Sequence, residues 1–319
     1  MALYILAFVT AMLLAWFITP GVRRFALKHN IMVHPGGRRV HTRPTPLLGG
    51  LAIYAGFAIS STIFLLLFLL LYGKLDISGA GLIVSGAIIV TLGMLDDMRE
   101  MSWKAQVGAI ILSGIVVVSF GVRIHFVTNP FGQPQSVYVP SIISWIITLA
   151  WIFGVTKTFD MLDGLDGLAS GIGAIAAGTL SIMTYYAGQP QVAMMSAALC
   201  GACIGFLRFN FNPAKIFMGT GGSQFIGFAL AVISIIASFK MAAAMAIVLP
   251  ILVLGIPIFD GLFVMIRRLI NKQPIAVADK THLHHRLLRL GLSHKQTVIL
   301  IWVLMLLLCG IALFILLHE

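Results

Sequence analysis

Residues 47–72 read LLGGLAIYAGFAISSTIFLLLFLLLY and contain no charged side chain. An α-helix needs roughly 20 apolar residues to cross the hydrocarbon core of a bilayer, so this run is long enough to span a membrane. Similar apolar runs lie at about residues 2–20, 79–95, 105–121, 140–155, 168–187, 191–207, 223–239, 241–266 and 296–317. The sequence predicts an all-α polytopic membrane protein of about ten transmembrane helices. We expect one integral membrane domain over residues 1–319, with a short extracytoplasmic hairpin at residues 123–139.

The composition excludes an ordinary soluble fold. Of the 319 residues, 60% are hydrophobic and 10% are charged, whereas an ordinary globular domain is about 25% charged. The net charge of +11 indicates membrane orientation, and we expect no nucleic-acid partner. Cys200, Cys203 and Cys309 lie in apolar runs, which argues against a disulfide framework or a zinc site. The first run lacks a basic leader and a cleavage pattern, so we expect it to remain as a transmembrane helix.

Charged residues concentrate in the loops of one predicted membrane face. With the N-terminus outside, the inside loops hold all of the 21 Lys and Arg residues except Lys74, Arg123 and Lys240. The same loops hold all of the 10 acidic residues except Asp76 and Glu319. Because Lys and Arg accumulate in cytoplasmic loops, we predict a cytoplasmic active-site face with the N- and C-termini outside.

Two acidic motifs lie where predicted helices meet that face. Asp96 and Asp97 are adjacent at the end of a run, where the helix dipole and mutual repulsion call for a cation or a basic neighbour. Asp160, Asp163 and Asp166 share an arc of about 120° if their segment is helical. Three such carboxylates at a membrane boundary suit Mg²⁺ or a hydrogen-bonding ligand. The structural alternatives are a solvated loop and an acidic turn that caps the next span.

Two further motifs place polar residues beside or within apolar runs. Residues 208–223 combine Asn212, Lys215 and a Gly/Ser turn, which is a plausible cradle for phosphate or sugar. Asp260 lies near the inner end of an apolar run, where an ionised group is costly and by default functional. A charge pair with Arg267 or Arg268 is the structural alternative.

The last motif is basic and contains His282, His284, His285 and Arg286. An interfacial helix on anionic lipid and a zinc site are alternatives. We favour imidazole and guanidinium groups that bind phosphates and hydroxyls. Carboxylates for a hard divalent cation, together with these donors on one face, indicate a site for a metal-bound diphosphate. The second substrate would be a lipid phosphate.

These motifs resemble the polyprenyl-phosphate N-acetylhexosamine-1-phosphate transferases of glycosyltransferase family 4. The resemblance covers nearly the whole chain and includes the run from Arg39 to Pro46 followed by Gly49 and Gly50. It implies transfer of a HexNAc 1-phosphate, here GlcNAc 1-phosphate, from a UDP-sugar to undecaprenyl phosphate with release of UMP. The product would be the first lipid-linked intermediate of a cell-envelope polysaccharide. The histidine motif is similar to the UDP-HexNAc branch, and activity like that of the phospho-MurNAc-pentapeptide transferases is the alternative.

The resemblance also implies roles for the site residues. The catalytic residues would be Asp96, Asp97 and Asp260. Mg²⁺, or Mn²⁺ in its place, is expected on Asp260 and Asp163. The substrates would contact Asp160, Asp163, Asp166, Asn212, Lys215, His282, His284, His285 and Arg286. Direct in-line attack by the lipid phosphate is favoured, with a phospho-aspartate intermediate as the alternative. The resemblance further implies a bacterial cytoplasmic membrane enzyme that contacts membrane lipids, and a homodimer is plausible.

The chain departs from the family pattern at three positions. Asp160 and Lys157 stand where Asn is common, and Thr220 stands where Asp is common. The chain thus loses an acid at Thr220 and gains one at Asp160. This matched change leads to the hypothesis that a metal or hydroxyl contact is relocated across the site. A non-catalytic homologue is the main rival interpretation. A CDP-alcohol phosphotransferase is disfavoured because Ser170 stands where its motif has Arg, and a transporter because the acids avoid the membrane midplane.

Overall fold

The computed structural model describes residues 1–33, 44–128, 136–238, 245–271 and 281–318. Arg39, His41 and Arg43 of the N-terminal motif lie outside these ranges. The helices are α1 (Ala2–Lys28), α2 (Gly49–Tyr72), α3 (Ile77–Arg99), α4 (Trp103–Ser119), α5 (Ser141–Leu162), α6 (Leu168–Tyr186), α7 (Pro190–Asn210), α8 (Gly219–Ser238), α9 (Met245–Val253), α10 (Gly255–Ile270), α11 (Leu283–Arg289) and α12 (His294–His318). The strands are β1 (Met32–Val33), β2 (Thr45–Pro46), β3 (Phe126–Thr128) and β4 (Ser136–Tyr138).

The predicted all-α polytopic architecture is confirmed. In the described part of the chain, 8 helices are long and apolar enough to cross a membrane, namely α1, α2, α3, α5, α6, α7, α8 and α12. Helix α4, which is 17 residues long, covers most of the predicted run at residues 105–121. The predicted hairpin is also present, because β3 and β4 pair antiparallel with Phe126 opposite Tyr138.

The expectation of one continuous helix over residues 241–266 is wrong. Helix α9 ends at Val253 and α10 begins at Gly255, with Leu254 between them. Pro257 has no N–H to donate to the carbonyl of Val253, so the backbone ladder of a continuous helix is interrupted there. The pair α9–α10 therefore takes the place of a single span.

Contacts among helices α1 to α8 bring C-terminal and N-terminal helix ends together at one end of the bundle. The carboxylate at the end of α3 accepts from the backbone at the start of α8. The first residue before α6, Gly167, donates to Asn210 at the end of α7. Arg23, late in α1, donates to the carbonyl of Lys215 just before α8. We call this end of the bundle the polar end.

Met1 and His318, the first and last described residues, lie away from the polar end. The C-terminal turns of α1 lie at the polar end, where Arg23 bonds Lys215. Helix α12 begins at the same end, where the ring of its first residue, His294, forms a hydrogen bond with the backbone of Asp166. The β3–β4 hairpin lies between the far ends of α4 and α5. This arrangement agrees with the predicted separation of the termini and the hairpin from the polar loops.

Small residues let the helices pack closely. Gly201 and Gly205 of α7 lie against the backbone of Phe8 and Met12 in α1, where an added Cβ would meet carbonyl oxygens. Such contacts suit association in lipid, where the hydrophobic effect does not drive helices together. Helix α8 is buried along almost its whole length and forms the centre of the bundle.

Candidate active site

A cleft of about 630 Å³ opens at the polar end. Its walls come from the ends of α3, α5 and α7, the starts of α4 and α8, and α11. Six of the predicted site residues line it: Asp96, Asp97, Asp160, Asp163, Asp166 and His285. The two acidic motifs, which are far apart in the sequence, therefore share one site.

Asp97 caps the N-terminus of α8. Its Oδ1 accepts from the backbone N–H of Thr220 at 2.7 Å, and its Oδ2 accepts from that of Gly221 at 3.4 Å. The helix dipole favours a carboxylate at this position. Gly219 has a φ of +72° and the Asp97 carboxylate fills the space that its Cβ would need, so this turn requires glycine.

Asp96 is held by a different set of donors. Its carboxylate accepts from the Met101 backbone N–H at 2.8 Å and from the Gln106 amide at 3.1 and 3.0 Å. Sequence reasoning missed Gln106, which lines the cleft. The sequence signal that could have identified Gln106 is its amide side chain in the first turn of α4, a mostly apolar helix.

The expectation that Asp160, Asp163 and Asp166 share a helical stripe is wrong. Helix α5 ends at Leu162, so only Asp160 is helical, and the chain turns through Gly164 and Gly167 before α6. The turn nevertheless keeps all three carboxylates in the cleft.

Each of these three carboxylates has a distinct environment. Asp160 Oδ2 pairs with Lys157 Nζ at 2.7 Å. Burial, and then the charges of Asp160, Asp97 and Asp166, raise the pKa of Asp163 to about 8. Asp166 Oδ2 accepts from the Asn212 side chain at 2.9 Å and from the backbone N–H of Ala214 at 3.0 Å.

The two side chains of the predicted phosphate or sugar cradle, Asn212 and Lys215, lie in different environments in the structure. Asn212 supports Asp166 as described, whereas Lys215 is exposed and lies outside the cleft lining of the described residues. Buried Asn210 accepts from Gly167 N–H at 3.1 Å and from the Ser170 hydroxyl at 3.0 Å. This segment therefore fixes the turn that carries Asp163 and Asp166, and a substrate contact for Lys215 stays a prediction.

Asp260 anchors the histidine motif. Its Oδ2 lies 2.8 Å from His282 Nδ1, and its Oδ1 accepts from the Leu283 backbone N–H at 2.7 Å. Asp260 is buried and is not among the described residues that line the cleft. The structure thus gives Asp260 a contact with His282, while its predicted catalytic and metal roles stay predictions.

The histidine motif packs against the acidic turn. The rings of His282 and His284 stack with centroids 5.7 Å apart. Burial, followed by the neighbouring His285 and His282, lowers the pKa of His284 to about 3, so this imidazole is neutral. Its Nε2 lies where a Cβ on Gly164 would be.

The four predicted donors of this motif do not all reach the cleft. His285 lines it, and the Arg286 guanidinium lies over the Phe263 ring, 5.0 Å from its centroid. Among the described residues, His285 is therefore the member of the motif that lines the cleft together with its aspartates.

The carboxylates fit a hard divalent cation. Within the described ranges, no three His, Cys, Asp or Glu side chains already converge as a metal-binding group. Magnesium typically takes one or two protein carboxylates and completes its shell with water and substrate phosphates. Asp163, whose pKa is raised by burial and then by three carboxylate neighbours, would supply the oxygen ligand that such an ion needs.

Comparison with known proteins identifies the family. The sequence profile of Glycosyl transferase family 4 matches residues 79–238. The chain belongs to this family. In this member of glycosyl transferase family 4, the matched region supplies all the cleft carboxylates, and the resemblance predicted from the motifs is confirmed.

Curated relatives share most of their length with this chain. A probable undecaprenyl-phosphate N-acetylglucosaminyl 1-phosphate transferase of Bacillus subtilis (strain 168) is 36% identical over 94% of this chain and 81% of the relative. A decaprenyl-phosphate N-acetylglucosaminephosphotransferase of Mycolicibacterium smegmatis is 33% identical over 92% and 77%. An undecaprenyl-phosphate alpha-N-acetylglucosaminyl 1-phosphate transferase of Escherichia coli (strain K12) is 27% identical over 88% and 75%.

Proposed function

We propose that this protein transfers N-acetylglucosamine 1-phosphate from UDP-GlcNAc to undecaprenyl phosphate and releases UMP. The observation that carries the proposal is the convergence of five aspartates and His285 in one cleft at the polar end of a membrane bundle. The names of the relatives in two bacterial lineages supply the sugar and the type of acceptor. The product would serve as the first lipid-linked intermediate of an envelope polysaccharide.

The lipid phosphate needs orientation more than deprotonation. A phosphate monoester has its second pKa near 6, so it is largely dianionic at neutral pH. Asp96 and Asp97, each held by backbone donors, would position its attacking oxygen for in-line displacement at the sugar-bearing phosphorus. The P–O bond to the UMP oxygen breaks as the new P–O bond forms.

The donor would lie across the acidic turn and the histidine motif. Asp163 and Asp260 are the proposed ligands of Mg²⁺ or Mn²⁺, and Asp163 is the one that lines the cleft. A bound divalent cation would neutralise the diphosphate and the departing UMP. His285 would donate to a diphosphate oxygen, and Asp166, held by Asn212, would accept from a donor hydroxyl.

The polar end would face the cytoplasm of a bacterium, where UDP-sugars are made, and both termini would lie outside. The distribution of Lys and Arg supports this orientation. We also propose that the protein lies in the cytoplasmic membrane, contacts its lipids and assembles as a homodimer.

Transfer of labelled sugar phosphate from UDP-GlcNAc to undecaprenyl phosphate by the purified protein in lipid tests the proposal. We expect lipid-linked product with equimolar UMP, and loss of both with EDTA or Asp163→Asn. Asp76→Asn is the matched control, because Asp76 caps α3 at the opposite end of the bundle and Asn preserves the cap. A folded protein that makes no product from any UDP-HexNAc would overturn the proposal and favour a non-catalytic homologue.

A further inference from the structure

Lys157 connects the two acidic motifs through one side chain. Its Nζ lies 2.7 Å from Asp160 Oδ2 and 3.1 Å from Gln106 Oε1. The Gln106 amide in turn donates to both oxygens of Asp96. An unbroken chain of hydrogen bonds therefore runs from Asp160 in α5 to Asp96 in α3, by way of α4.

The chemistry of its neighbours fixes the orientation of the Gln106 amide. An ammonium group can only donate and an ionised carboxylate can only accept. The amide oxygen must therefore face Lys157, and the amide nitrogen must face Asp96. Without the ammonium group, the amide would lose the partner that holds its oxygen, and the amide nitrogen that donates to both Asp96 oxygens would be free to rotate away.

The same ammonium group neutralises Asp160. The second Asp160 oxygen accepts from the Ser223 hydroxyl at 2.9 Å, so both oxygens are engaged. Ser223 lies one turn beyond Thr220, whose backbone N–H bonds Asp97. The hypothesis that Asp160 supplies a relocated metal or hydroxyl contact stays a prediction, because a carboxylate oxygen that accepts one hydrogen bond keeps a second lone pair.

We propose that Lys157 is a positioning residue that orients Asp96 through Gln106 and holds Asp160 as a neutral ion pair. This inference rests on the proposed function, in which Asp96 orients the lipid phosphate. Lys157 lies outside the described cleft lining and acts without touching either substrate. Residues in this supporting role typically change activity by about 10- to 100-fold when they are replaced.

Steady-state kinetics of five variants tests the proposal. We expect Lys157→Met and Gln106→Leu each to lower kcat by about 10- to 100-fold, with little change in KM for UDP-GlcNAc. The double variant should lose no more than the worse single variant, because both changes break one chain. Lys157→Arg should recover part of the loss. Asp160→Asn added to Lys157→Met should also recover part of it, because no unpaired carboxylate remains.

Lys104→Met is the matched control for loss of a positive charge at the same face. Lys104 is an exposed residue of α4, and its replacement should leave kcat unchanged. If Lys157→Met behaves like this control, or if the losses of Lys157→Met and Gln106→Leu multiply in the double variant, the proposal is wrong. If the wild-type protein transfers no sugar phosphate, the proposed function fails instead.

A crystal structure of Lys157→Met provides a readout that needs no turnover. We expect the Gln106 amide to lose its two contacts with Asp96, which are 3.1 and 3.0 Å long in the present structure. Retention of both contacts without the ammonium group would overturn the proposal, whatever the transfer assay shows.

Discussion

Gly93→Ala should separate α3 from α8 and disturb Asp97. A Cβ on Gly93 would lie 2.7 Å from the backbone nitrogen of Gly221, whereas ordinary contact begins at 3.4 Å. The Gly221 Cα would lie nearer still, so the two backbones would have to move apart by at least about 0.7 Å, because both of these atoms belong to the backbone and neither is a flexible side chain. Asp97 follows Gly93 by one helical turn, so the movement reaches its bond with Thr220.

The geometry gives the size of the effect. The Asp97–Thr220 distance of 2.7 Å would lengthen to at least about 3.4 Å, outside the usual range for an N–H···O bond. Overpacking of this kind costs about 1–3 kcal/mol in the free energy of unfolding. A catalytic group misplaced by about 1 Å loses on the order of 100-fold in rate.

Two measurements on matched glycine variants check this prediction. Unfolding in mixed micelles titrated with SDS gives the change in free energy, and the transfer assay gives kcat. Gly108→Ala is the control, because Gly108 is also helical but has nothing within 4 Å of its added Cβ. If Gly93→Ala matches Gly108→Ala in both measurements, the α3–α8 contact does not hold Asp97 in place and the reasoning fails.

Three further perturbations test other parts of the site. Asp260→Asn removes the anionic partner of His282 Nδ1, so we expect kcat/KM to fall by about 10- to 100-fold. An unchanged kcat/KM in steady-state assays would contradict the anchoring role of Asp260. Because the pKa of Asp163 is raised to about 8, protons compete with Mg²⁺ below that pH. The Mg²⁺ concentration for half-maximal rate should rise about tenfold as the pH falls by one unit below 7, and a flat profile in Mg²⁺ titrations refutes the competition. Gly164→Ala directs a Cβ against His284 and should raise KM for UDP-GlcNAc more than KM for the lipid; equal increases would indicate general distortion.

The sequence predicts the membrane architecture well because the length of an apolar run is a local property. The break at Leu254 was missed, since the run over residues 241–266 stays apolar through it. Only the missing N–H of Pro257 marks the interruption, and proline alone is an ambiguous signal because membrane helices tolerate it.

The site was predicted as a set of residues more successfully than as a geometry. Charge at helix ends is visible in a sequence, which is why five aspartates that line the cleft were found. Which donors hold each carboxylate depends on approaches between distant helices. The cap that Asp97 forms on α8 has no local pattern that distinguishes it, and the amide in the first turn of α4 does not by itself show that Gln106 contacts Asp96.

The distribution of charge in the cleft bears on the order of binding. Among the described residues, its lining holds six carboxylates and no Lys or Arg: Asp96, Asp97, Glu100, Asp160, Asp163 and Asp166. Lys157, which lies outside the described cleft lining, neutralises Asp160, and the buried His284 is neutral. Even with Asp163 protonated and Asp160 paired with Lys157, a diphosphate that entered this cleft alone would meet the negative charges of the other carboxylates in a partly desolvated site. In the proposed reaction a divalent cation would therefore arrive with the donor or before it, and we expect UDP-GlcNAc and Mg²⁺ to increase each other's affinity by the same factor.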